Sequence, residues 1–348
     1  GGSKLTKITD GAVAFNEAGT TSDDSYLSVA SSSDFAFGTG DFTIEYYLYL
    51  NSTPTTATVP FDMRPLNTNG AYPQMTINSS LSLSYYVDSS NRITSSSSIP
   101  TKRWLHISVC RSGSSTKMFV NGVQSGSTYS DSNNYQQSGI NIGSNQYAVP
   151  QYGIPGFITN FRVVKGTALY TKNFTPPTEP LTEVTNTKLL CCQSNAQAGA
   201  AVTSPNMGGI NNGIQWSSGI SNAASSYPGI NLFDGSTSTY TEATQGGGDV
   251  TFSGNISGTT IEIYGNKQGS STLTINGVDK TSLVPSSPAY FTITGVTEIT
   301  SMAFNRGASG NYVDLYAIRV DGVVLRDPLA PNGDAAATNF NPFNTDIN

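Results

Sequence analysis

Two neighbouring segments of alternating polarity, joined across a polar turn, constrain the fold of this chain more than any other feature. In the first, residues 104–111, aliphatic side chains alternate with Trp104, His106 and Ser108. This period of two is typical of a half-buried strand. The second, residues 117–123, contains Asn121-Gly122, which supplies the positive φ angles of a tight hairpin turn. The sequence therefore predicts an antiparallel hairpin with one face on a core.

Short runs of β-forming residues, broken by glycine, asparagine and proline, continue along the whole chain. The 348 residues include 35 Gly, 18 Tyr and 15 Phe, and only 11% of them are charged. Such runs are typical of strands, and no convincing long amphipathic helix interrupts them. The length is sufficient for two domains with separate cores. We therefore predict an all-β chain with two β-sandwich domains in tandem.

The first predicted domain covers residues 1–192 and the second covers residues 207–327. Residues 193–206, rich in alanine, predict a linker, and the polar residues 328–348 predict an extended arm or the approach to a further module. The dipeptides Asn276-Gly277 and Asp321-Gly322 predict two more tight hairpins. The runs with the clearest strand character are residues 13–15, 25–29, 41–50, 82–87, 140–143, 156–164, 260–264, 271–275, 290–293, 301–304 and 314–320.

Charge and hydropathy exclude two classes of partner. The formal net charge is −6, and the 17 Lys and Arg residues form no clusters, so a surface that follows nucleic acid phosphates is not expected. No apolar run approaches the roughly 20 residues that cross a bilayer, and no secretory signal begins the sequence. We therefore expect neither nucleic acid as a partner nor membrane insertion.

Cysteine and histidine are too few for a disulfide framework or a zinc site. The chain has three cysteines and one histidine, whereas a structural zinc ion needs four ligands. Cys110 lies in a predicted strand, and Cys191-Cys192 follows two leucines. We predict that all three thiols are buried as small apolar groups.

Catalytic constellations are missing from the individual strands. Glycoside hydrolysis needs two carboxylates about 5 to 9.5 Å apart, and Glu45 and Glu262 have only tyrosines beside them on their faces. This pattern leaves open a catalytic pair of carboxylates that come from two separate strands. His106 is predicted to be a packed strand residue, and Gly246-Gly247-Gly248 a flexible loop without the lysine of a phosphate-binding motif. We predict that the chain is not an enzyme.

The first domain resembles the laminin G-like, concanavalin A-like sandwich family. The resemblance rests on residues 26–29, 40–45, 104–123 and 156–163, which occur in the order found in that family. Residues 165–181, KGTALYTKNFTPPTEPL, also resemble the closing segment of such domains in tail and virion proteins of marine cyanobacterial phages. The resemblance implies sugar binding and a virion or extracellular location.

The second domain resembles the discoidin-like, galactose-binding jelly-roll family through residues 231–240 and 315–322. Such modules often hold calcium in a loop of oxygen ligands, and the matching residues here are Asp234, Ser236 and Thr239. Ala317 stands where the closing strand usually supplies an acidic ligand, although Asp314 is near, and Asp23-Asp24 is a weaker candidate in the first domain. We expect no required cofactor, with calcium as the one ion to test.

Sugar recognition combines an aromatic side chain with amide or carboxylate groups. Two regions of the sequence carry both types, the loop near residues 145–152 and the beginning of the second domain. Each of these aromatic residues has packing in the core as an alternative role. The predicted glycan-binding residues are Asn145, Tyr147, Tyr152, Asn211, Trp216 and Tyr240.

Three functions agree with the sequence. The leading hypothesis is a phage tail-fibre or capsid-surface protein that binds host-surface or environmental glycans, assembled with other virion proteins as a homo-oligomer such as a trimer. The second is a structural decoration or connector protein that uses the same domains for protein contacts. The third is a cellular surface adhesin.

Overall fold

The computed structural model describes residues 11–16, 25–148, 151–195, 198–199, 201–203, 216–307, 310–327, 330–332 and 335–343. The chain divides into two compact units. One comprises Gly1–Pro205 together with Pro328–Asn348, and the other comprises Asn206–Asp327. The chain thus leaves the first unit, builds the second, and returns to the first.

The described residues contain 26 strands and four short 3₁₀ helices. The strands that precede the second unit are β1 Ala12–Asn16, β2 Tyr26–Ser32, β3 Phe42–Leu50, β4 Thr58–Asp62, β5 Gln74–Ile77, β6 Leu83–Val87, β7 Ser90–Thr94, β8 Trp104–Ser112, β9 Ser115–Val120, β10 Val123–Gln124, β11 Tyr129–Ser130, β12 Ser138–Ile142, β13 Pro155–Lys165, β14 Thr187–Cys191 and β15 Ala201–Thr203. The second unit contains β16 Ile220–Ser221, β17 Val250–Ser257, β18 Ile261–Gln268, β19 Leu273–Ile275, β20 Val278–Asp279, β21 Ala289–Thr292, β22 Glu298–Phe304, β23 Tyr312–Val320 and β24 Val323–Val324. The last strands are β25 Ala330–Asn332 and β26 Ala336–Thr338, and the 3₁₀ helices are Ser33–Phe35, Trp216–Gly219, Gly229–Phe233 and Thr281–Leu283.

The all-β prediction is confirmed. In the part of the chain that the structure describes, no helix is long and apolar enough to span a membrane.

The three cysteines are buried and free, as predicted. The asparagine or aspartate of each predicted hairpin turn has positive φ, with values of 48° at Asn121, 50° at Asn276 and 51° at Asp321, and so has the glycine that follows it.

Two antiparallel sheets pack face to face in the first unit. The larger one has the order β10-β9-β8-β3-β13-β1-β26, with β11, β14 and β15 attached beside it, and the smaller one has the order β25-β2-β12-β4-β5-β6-β7. Tyr46 of β3 lies against Phe61 of β4, with 6.0 Å between the ring centroids, and Phe161 of β13 lies against the same phenylalanine at 5.7 Å. These aromatic contacts join the two inner faces.

Strands β3 and β8, in the middle of the larger sheet, are buried on both faces, so the prediction of a half-buried strand is wrong for β8. The outward-facing Glu45, Tyr47 and His106 are at most 5% exposed. The segment after β13 covers them, since the Tyr47 hydroxyl donates to the Pro177 carbonyl at 2.5 Å. The phenylalanine Phe343, near the end of the chain, packs on the Tyr47 ring at 5.1 Å. A single-sequence pattern cannot show such a cover, because the covering residues are distant in sequence.

The arm predicted for residues 328–348 is part of the first unit. Strand β26 pairs with β1, and β25 pairs with β2, so the two ends of the chain share both sheets. The linker predicted for residues 193–206 also contains structure, because β15 pairs with β14 through Val202 and Leu190. The second unit is therefore an insertion in the described architecture, and the two domains are not in simple tandem.

The second unit is also built from two sheets. A five-stranded sheet has the order β16-β17-β22-β19-β20, and a four-stranded sheet has the order β21-β18-β23-β24. Residues of both sheets share one core, including Phe252 and Phe304 from the first sheet with Ile263, Leu315 and Ile318 from the second. The outer face of the four-stranded sheet is then free to carry other side chains.

Candidate functional site

Five tyrosines lie across the outer face of the four-stranded sheet in the second unit. Ile261 and Ile263 of β18 point into the core, so the alternation of the strand turns Tyr264 outward. Tyr290 of β21 is the cross-strand partner of Tyr264. Tyr316 of β23 faces outward between the core residues Leu315 and Ile318. Thr241 forms a bridge with Leu315, which places the preceding Tyr240 at the same face.

The rings form a continuous series, called here the tyrosine row. In spatial order its members are Tyr290, Tyr264, Tyr316, Tyr240 and Tyr227. Successive ring centroids are separated by 5.0, 5.5, 5.2 and 4.6 Å. All five side chains are partly exposed. Side chains with an apolar ring and a polar tip, held at this spacing, form a surface that suits a ligand with both apolar and hydroxyl faces.

A partly buried ion pair lies beside one end of the row. The Arg319 guanidinium is centred 3.7 Å from the centroid of the Tyr290 ring. It donates to both carboxylate oxygens of Glu262 at 2.5 and 2.8 Å. Hydrogen bonding to this guanidinium lowers the pKa of the Glu262 carboxyl. The pair fixes the orientation of Arg319 over Tyr290.

A group of four polar side chains, three of them buried and one partly exposed, lies on the other side of the row and is called here the polar flank. It consists of Asn266, Asp314, Glu242 and Arg306. Asn266 and Asp314 are cross-strand partners and are 5% and 7% exposed. Arg306 donates to the Glu242 carboxylate at 2.6 Å. Burial, together with the charge of Glu242, raises the pKa of Asp314 to about 7.

Two oxygens of the polar flank have no hydrogen-bond partner within the described protein. They are Oδ1 of Asn266 and Oδ1 of Asp314. Buried polar atoms are nearly always hydrogen-bonded in folded proteins. The polar flank therefore holds two buried acceptors without the donor that such atoms usually have.

The structure separates the residues predicted for glycan binding in the second unit. Tyr240 is a member of the tyrosine row. Trp216 is 6% exposed and stacks on Phe233 in the core, with 6.3 Å between the centroids. A ring buried in this way offers no face to a sugar, so we do not retain Trp216 as a platform. Asn211 lies outside the described residues.

The predicted calcium loop is brought together, but its aspartate is already engaged. The Asp234 carboxylate accepts from the Ser236 amide at 2.7 Å and from the Thr239 hydroxyl at 2.5 Å. Burial raises the pKa of Asp234, against the opposing effect of these bonds and of the Arg326 charge. No cluster of three or more histidine, cysteine, aspartate or glutamate residues in the described part is placed to hold a metal. Calcium therefore stays a prediction, and Asp23-Asp24 lies outside the described residues.

The residues predicted in the first unit lie in two adjacent loop segments. The backbone amide of Asn145 donates to the backbone carbonyl of Gln151 at 3.2 Å. This hydrogen bond joins the segments containing Tyr147 and Tyr152. Asn145 is 4% exposed, whereas Tyr152 is 37% exposed. Oδ1 of Asn145 has no hydrogen-bond partner among the described atoms.

A buried ion pair supports this loop. Arg64 lies between Tyr147 and Tyr86, with its guanidinium 4.7 and 5.1 Å from the two ring centroids. It is paired with the buried Asp62 carboxylate at 2.8 Å, which also accepts from the backbone amide of Gln146. The arrangement holds the Tyr147 ring in place and gives the first unit a smaller candidate surface.

The single histidine belongs to a buried network. Its Nε2 donates to Oε2 of Glu45 at 3.0 Å. The other oxygen of Glu45 accepts from Nε and Nη2 of Arg162 at 2.9 and 2.5 Å, and Tyr170 donates to Oε2 at 3.0 Å. Glu45 and His106 are 0% and 1% exposed. The prediction of a packed, hydrogen-bonded histidine is confirmed.

Sequence reasoning missed most of the tyrosine row and the polar flank. The alternation in residues 260–264 and 314–320 already indicated which side chains share a face. It could not indicate that β18 and β23 are neighbours, or that Tyr240 and Glu242 join their outer face. Both facts depend on strand pairing between distant segments.

Comparison with known families characterises the first unit. The family model Laminin_G_3, described as "Concanavalin A-like lectin/glucanases superfamily", matches residues 20–169. This part of the first unit is therefore similar to that superfamily. The resemblance predicted for this part of the sequence is thus confirmed. Among curated protein sequences, none matches the chain.

Solved structures with a similar arrangement have low sequence identity to this chain. A heptameric SAP-like pentraxin from Limulus polyphemus is 18% identical, with a TM-score of 0.37, and the match covers 48% of this chain and 81% of that chain. A "putative carbohydrate binding protein" from Bacteroides ovatus ATCC 8483 is 14% identical, with a TM-score of 0.40 and coverage of 58% and 57%. Trypanosoma rangeli sialidase is 13% identical, with a TM-score of 0.31 and coverage of 38% and 21%. The chain therefore spans little more than half of the second protein and about a fifth of the sialidase.

Proposed function

We propose that this protein is a non-enzymatic glycan-binding component of a virus particle. The observation that carries the binding part is the tyrosine row, with partly exposed rings spaced 4.6 to 5.5 Å apart on one sheet face. The concanavalin A-like lectin/glucanase match of the first unit supports the same class of ligand. Glycans on a host-cell surface are the proposed partners, and adsorption to that surface is the proposed role.

The composition of the face suits a sugar ligand. Sugars present C–H groups on one face of the ring and hydroxyl groups around its edge, so they need apolar contact beside fixed polar groups. The rings of Tyr264 and Tyr316 provide the apolar contact. The carboxylate and amide oxygens of the polar flank provide the fixed polar groups, because two of them have no hydrogen-bond partner within the described protein.

The virion part of the proposal rests on the resemblance of residues 165–181 to the closing segment of phage laminin G-like domains. In the structure this segment covers the buried Glu45 network, through the hydroxyl of Tyr170 and the carbonyl of Pro177. It therefore has a packing role in addition to its resemblance. A homo-oligomeric fibre or capsid-surface protein, in contact with other virion proteins, is the assembly we propose.

The first test measures binding of the folded full chain to host-cell surface polysaccharide. We expect Tyr264→Ala and Tyr316→Ala each to weaken binding at least about tenfold, because each removes a ring from the row. Tyr72→Ala is the matched control, since Tyr72 is a partly buried tyrosine of the first unit. Its affinity should equal that of the unaltered protein.

Other outcomes identify the alternatives. If Tyr147→Ala abolishes binding and the row variants do not, the site lies in the first unit beside Asn145 and Tyr152. If the folded chain binds no polysaccharide but forms a stable complex with virion subunits, the protein is a structural connector; tyrosine and arginine are also common in protein interfaces. Loss of binding in a calcium chelator would direct attention to the Asp234 loop.

A further inference from the structure

Two buried oxygens beside the tyrosine row lack a hydrogen-bond donor, and they are adjacent. Asn266 and Asp314 face each other across β18 and β23, and the side chains are 5% and 7% exposed. Oδ1 of each has no partner in the described protein. Leaving a buried acceptor unsatisfied costs about 1–3 kcal/mol. A pair of such acceptors on one face is expected where a ligand supplies the missing donors.

The position of this pair relates it to the tyrosines. Asp314 precedes Tyr316 by two residues on β23, and the core residues Val313 and Leu315 point the opposite way. Tyr240 and Glu242 flank Thr241, which pairs with Leu315. The two acceptors are therefore on the outer face of the sheet, at the side of the row formed by Tyr316 and Tyr240.

The charges around the pair restrict the chemistry of the ligand. Glu242 is 3% exposed and contributes a second carboxylate close enough to help raise the pKa of Asp314. Arg306 is the cation beside these groups, and it already donates to Glu242. An anionic sugar would meet two carboxylates with one cation already paired. Neutral hydroxyl groups can donate to both free oxygens without this repulsion.

We propose that Asn266 and Asp314 accept hydrogen bonds from hydroxyl groups of an uncharged sugar whose ring contacts Tyr316 and Tyr240. This inference rests on the proposed glycan-binding function and adds the class of sugar. The polar flank selects neutral glycans and rejects those that carry carboxylates or sulfates. The Glu262–Arg319 pair on the other side of the row does not share this role.

The experiment compares neutral and anionic polysaccharides with the full chain at pH 8. Affinity electrophoresis with galactan, mannan and dextran measures neutral binding, and polygalacturonate measures anionic binding. The variants are Asp314→Asn and Asn266→Ala. Glu298→Gln is the matched control, because it makes the same carboxylate-to-amide change at an exposed residue of β22, in the other sheet of the second unit.

The unaltered chain should bind at least one neutral polysaccharide and bind polygalacturonate at least about tenfold more weakly. Both flank variants should lose about tenfold or more in neutral binding, because Asn266→Ala removes its acceptor oxygen and Asp314→Asn replaces one carboxylate oxygen with an amide that donates. Glu298→Gln should stay within about threefold of the unaltered chain. The melting temperature of the free protein should not fall in Asp314→Asn, because Oδ1 of Asp314 has no hydrogen-bond partner in the described protein.

The contrary outcomes are distinguishable. Neutral binding that survives both flank changes but is lost in Tyr316→Ala overturns the inference and leaves the proposed function intact. A chain that prefers polygalacturonate also overturns the inference. Absence of binding to every polysaccharide, from a folded protein, overturns the proposed function and the inference with it. A calcium-dependent rise in melting temperature that disappears in Asp314→Asn would assign the oxygens to a cation and reject the sugar.

Discussion

The buried carboxylate of Glu45 shows how much one residue can determine in this fold. Arg162, His106 and Tyr170 all donate hydrogen bonds to it. Burial alone would raise the pKa of Glu45, but the hydrogen bond from His106 and the charge of Arg162 outweigh it and lower the pKa. The residue links β3, β8 and β13 with the segment that follows β13.

Replacing Glu45 should destabilise the first unit strongly. Glu45→Gln leaves the Arg162 guanidinium buried without its counter-charge, and removing one partner of a buried pair typically costs about 3–5 kcal/mol. Denaturant unfolding at pH 7 measures this change. Asp88→Asn is the control, since the Asp88 side chain is 59% exposed and its pair with Arg92 should contribute no more than about 1 kcal/mol.

The same variant, Glu45→Gln, tests how the stability of the protein depends on pH. A lowered pKa in the folded state means that Glu45 stabilises the protein above the ordinary pKa of 4.5, and that this stabilisation is lost as pH falls through the folded value. The difference in unfolding free energy between the unaltered protein and Glu45→Gln should therefore shrink below pH 4.5. A difference that stayed constant down to pH 3 would contradict the assignment.

Residue-level features differ in how far the sequence alone predicts them. The positive φ angles at Asn121 and Asp321 were predictable, because the two central residues of a tight turn determine its type. The environment of Trp216 was not, because a ring beside a polar loop can equally pack inward. Its burial against Phe233 depends on residues that are distant from any local pattern.

At the scale of elements, the returning C-terminal segment explains why the larger sheet of the first unit has a covered outer face. Phe340 contacts three aromatic side chains, Tyr49, Trp104 and Phe157, with centroid distances of 4.9, 5.3 and 4.9 Å. The strand alternation predicted which residues point outward. It could not predict that residues 335–343 pack on them, because the covering segment is at the other end of the sequence.

Deletion of residues 335–348 should therefore expose an aromatic surface on the first unit. We expect a lower melting temperature, a red shift of the Trp104 fluorescence and binding of a hydrophobic dye.

Phe340→Ala should reproduce part of the destabilisation. We expect the free energy of unfolding to fall by about 1–3 kcal/mol, since Phe340 is 38% exposed and only partly buried. Leu66→Ala is the matched control at a side chain that is 63% exposed, where a change below about 0.5 kcal/mol is expected. A deletion variant with unchanged stability would show that the arm contributes nothing to the sandwich.

The whole molecule is an all-β chain in which the second unit is inserted into the first. The sequence predicted both units and most of their strands, because regular alternation and turn residues are local signals. It did not predict the insertion. That arrangement depends on the pairing of β26 with β1, which joins residues near the two ends of the chain. Long-range strand pairing leaves no local pattern in a single sequence.

The inserted unit has its two ends fastened together, which predicts that it folds alone. The Asp327 carboxylate accepts from the backbone amides of Trp216 and Ser217 at 2.5 and 3.1 Å, and the Asp327 amide donates to the Phe233 carbonyl at 2.7 Å. Because the described beginning and end of the unit meet at Asp327, excision breaks the chain at one place on its surface.

The fragment of residues 206–327 should unfold cooperatively. It should also bind the same polysaccharide as the full chain within about threefold, because the tyrosine row and the polar flank both lie inside it. Calorimetry and affinity electrophoresis measure the two properties. In the fragment, Asp327→Ala should lower the melting temperature, whereas Asp249→Ala should leave it nearly unchanged. A fragment that folds but does not bind would locate the glycan site in the first unit, where Tyr147 is the residue to change next.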